Sequence, residues 1–191
     1  MNRQQALHAL AHELVAERAA AVVTLAEHGR MEDAPRVAER LRDVDAQVRQ
    51  LAGQALWAIW SRSGDAAIDQ LLARGVAEMG SGQLERAVAT FGQVVKRKPA
   101  FAEGWNKRAT ALFLLGRDAE SLRDCEEVLA RNPLHFGALS GMTQIHLRRG
   151  DAERALQAYE RALQANPNLE GGPVMLKLLQ EAVARRAGNR T

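Results

Sequence analysis

The chain has 191 residues, enough to bury a core as one domain or as two small packed modules. Its 26 Lys and Arg against 23 Asp and Glu leave a net charge of +3, well mixed along the chain, which speaks against the dense basic stripe of a nucleic-acid binder. Aromatics are only 4% and Cys125 is the one cysteine, which favours helices over sheets and excludes both an internal disulfide and a multi-cysteine zinc site.

No apolar run approaches the roughly 18–20 residues that a membrane span requires. The stretch from Met1 to Glu17 carries Arg3, His8, His12 and Glu13 where a signal peptide needs an uninterrupted apolar segment. A cytoplasmic protein is therefore expected, with an exported form whose signal has been removed as the alternative. Gln4 to Glu27 reads as one long helix closed by His28-Gly29. His8 and His12 share a face of it, but two ligands do not make a zinc site, and neither metal nor other cofactor is expected.

Asp33-Ala34-Pro35 opens the next helix, with proline just inside its start, and that helix runs to about Arg42. After Asp43-Val44-Asp45 a further helix spans Ala46 to Trp60, with Asp45 placed to cap it and Arg49 placed to reach back to Asp43 or Asp45. Residues 1–65 thus form an N-terminal helical module, with Trp57 and Trp60 expected to pack it onto the first helix pair beyond residue 65. The string from Leu41 to Ala52 resembles the short HEAT-type repeat, in which an Asp-rich turn precedes Val-Arg and an alanine-rich helix. Such repeats also occur in bilin lyases, so a lyase-like or enzyme-associated role of this module is the alternative function.

From residue 66 onward the chain repeats. Pro99, Pro133 and Pro167 are 34 residues apart (133 − 99 and 167 − 133), and Gly82, Gly116 and Gly150 keep the same step. So do Ala87, Ser121 and Ala155; Val94, Val128 and Ala162; Gly75, Ala109 and Thr143; and Phe91, Cys125 and Tyr159. Each period reads as two antiparallel helices. The glycine ends the first, the proline stops the second, and small residues mark where the backbones cross most closely. These residues resemble the tetratricopeptide repeat family, most clearly in Trp105, Ala109, Leu112, Gly116, Ser121, Val128 and Pro133. Cys125 stands where that family usually has an aromatic, and Glu78 and His146 where it has a large apolar residue.

The expected fold is all-α: a right-handed solenoid of antiparallel helix pairs at 68–101, 102–135 and 136–169 within a repeat region 66–169, preceded by the HEAT-like helices. Gly171-Gly172-Pro173 turns into a capping helix within 170–186, with a polar outer face, and a disordered tail is expected at 187–191. No catalytic residue is expected. Cys125 shares its register with Phe91 and Tyr159, a core position, and no phosphate-binding glycine loop occurs.

The resemblance implies a binding surface along the first helices of the pairs. On the face recurring at offsets of three and four lie Asp69, Leu72, Val76 and Met79, then Glu103, Asn106, Thr110 and Phe113, then Gly137, Ser140, Gln144 and Leu147 with Arg148 beside them. Asn106, Thr110 and Gln144 can bond a peptide backbone, while Leu72, Val76, Phe113 and Leu147 can bury apolar side chains. Some family members clamp a chaperone's C-terminal carboxylate with a Lys/Asn/Arg set. The matching positions hold Leu72, Val76, Asn106, Gly137 and Gly141, so that set is absent. A non-enzymatic scaffold or adaptor for another protein is expected, with self-association open and neither nucleic acid nor membrane as partner.

Overall fold

The computed structural model describes residues 1–188, and all regular structure among them is helical. Of the tail expected to be disordered, residues 189–191 lie outside the described residues, while α11 runs on to Gly188. The chain divides into two compact modules: Met1–Arg62 with Asn166–Leu169, and Ser63–Ala165 with the segment from Glu170.

The first module contains α1 (Arg3–Ala9), α2 (Val15–His28), α3 (Ala34–Glu39) and α4 (Ala46–Trp60). The single helix expected over 4–27 is thus two helices with a break between them. The cause is Arg18, which is buried and donates from Nε and Nη2 to the Asp43 carboxylate at 2.8 Å each. Its Nη1 donates to the carbonyls of His12 and Glu13, both at 2.9 Å. The carbonyls of His12 and Glu13 are therefore satisfied by a side chain reaching in from α2 rather than by a helical ladder. The hydrogen bonds from Arg18, working against burial, hold the Asp43 carboxyl below the usual carboxylate range.

Asn2 and Gln5 form a reciprocal capping box at the start of α1. Asp45 caps α4 by accepting from the N–H groups of Gln47 and Val48, and Arg49 reaches back to the carbonyls, not the carboxylates, of Asp43 and Val44. α2 packs on α4, burying Ala21, Val22 and Leu25 on one side and Val48, Ala52, Leu56 and Ile59 on the other. Trp60 is buried and meets Trp57 edge to face at 5.6 Å between ring centres.

The second module contains three helix pairs: α5 (Ala66–Gly80) with α6 (Leu84–Arg97), α7 (Ala102–Leu114) with α8 (Asp118–Arg131), and α9 (Phe136–Arg148) with α10 (Ala152–Ala165). Each pair turns in the same way. Gly82, Gly116 and Gly150 have φ of 76°, 76° and 70°, a region that favours glycine. Their N–H groups and those of the following residues close onto two carbonyls of the preceding turn, as in Gly116 N to Phe113 O (3.0 Å) and Arg117 N to Leu112 O (2.9 Å).

The close crossings explain the small residues. A methyl on Gly75 would fall 2.5 Å from the Phe91 ring, so a full-size aromatic at 91 requires glycine at 75. The departures at Glu78 and His146 also find their places. Glu78 is buried but accepts from Thr90 Oγ1 (2.6 Å) and Arg74 Nε (3.0 Å). His146 is buried beside α8 and α10.

The last helix, α11 (Gly172–Gly188), packs on α10 and buries Leu179. Its outer face was expected to be polar, yet Val174, Met175 and Leu178 are exposed on it. A helix whose main packing partner is one neighbour buries one stripe, and the apolar residues here occupy more than one.

Candidate functional site

The first helices of successive pairs, α5, α7 and α9, approach one another and form one wall of the second module. Between α7 and α9 that wall opens into a cavity of about 200 Å³. Asn106, Thr110 and Phe113 line it from α7, Ser140 and Gln144 from α9, and Cys125 from α8 behind them. The space falls where α9 carries Gly137 and Gly141 at the positions that on α7, one period earlier, hold Glu103 and Lys107. No charged side chain lines it.

A buried polar cluster fixes the Asn106 side. Glu103 and His135 are fully buried, and His135 Nε2 lies 3.1 Å from Glu103 Oε2. His135 Nδ1 accepts from the Ala138 N–H at the start of α9 (3.1 Å), so the ring proton sits on Nε2 and is donated to the carboxylate. Lys107 Nζ completes the set at 3.1 Å from Glu103 Oε1. Burial pushes the Glu103 carboxyl up, but the His135 hydrogen bond and the Lys107 charge outweigh it, and the group ends below the ordinary carboxylate range. Because a carboxylate only accepts, Asn106 must turn its Nδ2 toward Glu103 Oε2 (3.0 Å), and its amide oxygen accepts no hydrogen bond from a described residue.

Phe113 is half-buried under the Arg148 guanidinium, whose carbon stands 3.8 Å from the ring centre. Arg148 also donates to the Phe113 carbonyl at 2.9 Å and pairs with Asp118, so it serves as a wall of its own chain.

The structure brings Asn106, Thr110, Phe113, Ser140 and Gln144 of the expected face around one cavity. Leu147 and Val76 are exposed, while Met79 and Asp69 are half-buried, Met79 against the core and Asp69 accepting from the Ser63 N–H. Leu72 and Glu103 were expected on the open face and lie in the interior instead. Leu72 packs with Ile68, Phe91 and Val94, and Glu103 is drawn in by His135 and Lys107. Sequence reasoning missed His135 and the floor at Cys125. The run of small residues on α9 was the one local signal that a cavity opens there.

Stacked antiparallel helix pairs with a constant 34-residue period and one lined wall define a helical repeat protein. The chain belongs to the tetratricopeptide repeat family, whose profile matches residues 72–131 and 119–170. It is 36% identical over 132 residues to a TPR repeat-containing protein of Rhizobium etli, covering 69% of this chain and 63% of that protein. It is 31% identical over 103 residues to the Hsp70-Hsp90 organizing protein of Triticum aestivum, covering 54% of this chain and 18% of that one. Its fold is similar to the first TPR domain of Spaghetti (RPAP3), solved bound to the HSP90 peptide SRMEEVD, with a TM-score of 0.59, 24% identity and coverage of 61% of this chain and 93% of that one. The chain thus spans less than two thirds of either relative's length. Among the described residues no helix is long and apolar enough to cross a membrane, and no three His, Cys, Asp or Glu are grouped to hold a metal.

Proposed function

We propose that the chain is a protein-interaction adaptor, and that the α7–α9 cavity seats one side chain of an extended segment of a partner protein. The observation that carries this reading is the cavity itself: uncharged, edged by hydrogen-bonding side chains, and about 200 Å³ in volume. That is below the roughly 300–1,000 Å³ of small-molecule and cofactor sites, and suits a single apolar side chain. The Asn106 amide oxygen supplies an acceptor for a backbone N–H of the guest, and Thr110 and Gln144 add bonding capacity at the rim.

The peptide bound by the Spaghetti domain is acidic. Here the positions matching a carboxylate clamp hold Leu72, Val76, Asn106, Gly137 and Gly141, with glycine where cations would stand, and nothing charged lines the cavity. The guest is therefore an internal, uncharged segment with an apolar anchor. The test places a photo-crosslinking side chain at Gln144 in the native host and maps the captured peptide. Capture of a defined segment that disappears when Gly141→Leu fills the cavity is the expected result. The same captured peptides with and without Gly141→Leu would refute it.

A further inference from the structure

The groove where the second helix of one pair meets the next pair occurs twice in the second module, and the two copies differ. The first is lined by Val88, Arg108, Leu112 and Asp124 and measures about 230 Å³. One period on (88 + 34, 108 + 34, 112 + 34 and 124 + 34) the same positions hold Leu122, Met142, His146 and Ala158, and the groove measures about 420 Å³. In the first copy Arg108 spans the groove and donates from Nε and Nη2 to both Asp124 oxygens at 2.7 Å. Met142 and Ala158 replace both partners in the second copy, so that ion pair does not form there.

Its lining is specific. His146 stands where Leu112 stood, is only 5% exposed, and its ring makes no hydrogen bond to a described residue. Burial, helped by Arg154 and Arg149 against Asp151, lowers its pKa, so at neutral pH the ring offers one N–H donor. Arg154 and Arg161 lie two turns apart on α10 with Gln157 and Ala158 between them, and Glu126 faces them from α8. Arg154 makes only a loose contact with Asp151 at 3.6 Å, and Arg161 makes no ion pair with a described residue.

We propose that this groove is a second binding site, for a small organic carboxylate with an apolar body. Its head lies between Arg154 and Arg161 and accepts from His146, and its body rests on Leu122, Met142 and Ala158. Three features select that chemistry. The sister groove holds a carboxylate, that of Asp124, in the same architecture. The lining carries two guanidiniums, Arg154 and Arg161, against one carboxylate, Glu126, which favours a negative head. The volume lies within the roughly 300–1,000 Å³ range of small-ligand sites.

The test uses hexanoate and its uncharged counterpart hexanamide, titrated into the full chain while the His146 ring and arginine Nε resonances are followed by NMR. Hexanoate is expected to shift His146 and Arg161 saturably, with hexanamide at least about tenfold weaker, the size of one lost charge-assisted contact. Met142→Arg with Ala158→Asp rebuilds the pair of the first groove and is expected to weaken hexanoate at least about tenfold with the backbone spectrum unchanged. The exposed substitution Arg161→Gln is expected to weaken it as well and carries no risk to the core. Equal response to hexanamide, no saturable shift, or hexanoate binding indifferent to both variants would overturn the proposal.

Discussion

Gly75→Ala is the sharpest test of how the helix pairs pack. A methyl there would sit 2.5, 2.8 and 2.9 Å from Cε1, Cδ1 and Cζ of Phe91. The ring has 0% exposure and cannot swing out to relieve the clash. Overpacking a closed core costs about 1–3 kcal/mol, and three ring carbons inside 3 Å put this case at the upper end. Alanine recovers up to about 1 kcal/mol of helix propensity over glycine. The net expectation is a loss of about 2 kcal/mol. Gly92 on α6 is the internal control, because its added methyl would find only Arg108 Nη1, at 4.0 Å. Gly92→Ala should therefore stabilise by about 0.5–1 kcal/mol. Urea unfolding followed by circular dichroism reads both from the midpoint, provided the slope is unchanged. A Gly75→Ala variant as stable as the parent, or both variants moving in the same direction, would refute the packing argument.

Two further outcomes rest on buried groups. The Asp43 carboxyl, held low by Arg18, contributes stability that is present above its unfolded value of about 4 and lost as pH falls from there toward its folded value. Asp43→Asn should be less stable at pH 7 and should show a shallower fall in Tm on acidification below about pH 4; parallel Tm–pH curves would contradict this. Asp33, Glu78 and Glu103 have the same sign, so the acid limb flattens without vanishing. Burial pushes the Cys125 thiol up to about 12, so a disulfide exchange reagent at pH 8 should label it only after unfolding. Stoichiometric labelling of the native chain within minutes would show that the cavity floor opens.

The repeat lattice was legible because its constraints are local and recur. A glycine at φ near 70–76° and a small residue at each tight crossing leave few alternatives, and each is visible at a fixed step. The break between α1 and α2 was not legible. The apolar pattern of residues 4–27 is continuous, and what interrupts the helix is a guanidinium turned inward toward Asp43, 25 positions away. Charged residues look alike on a helical wheel whether they face water or a buried partner. The wheel likewise put Glu103 outside, although His135 and Lys107 supply what its carboxylate needs inside.

Function in a repeat protein is read better across the periods than along any one of them. Positions 74, 78 and 90 are Arg, Glu and Thr; one period on they are Arg, Leu and Asp; one further they are Met, His and Ala. In the first pair the carboxylate sits on α5 as Glu78, bonded by Thr90 and Arg74; in the second it has moved to α8 as Asp124, bonded by Arg108. Each arrangement pairs one arginine with one acid. The third pair has neither, and the same backbone geometry then encloses the larger space, with an imidazole on its wall. A departure such as His146 looks like a packing flaw when set against the family pattern alone. Set against its own two predecessors, it lines the groove in which Met142 and Ala158 stand in place of the Arg108–Asp124 ion pair, and the loss of that pair leaves the larger space.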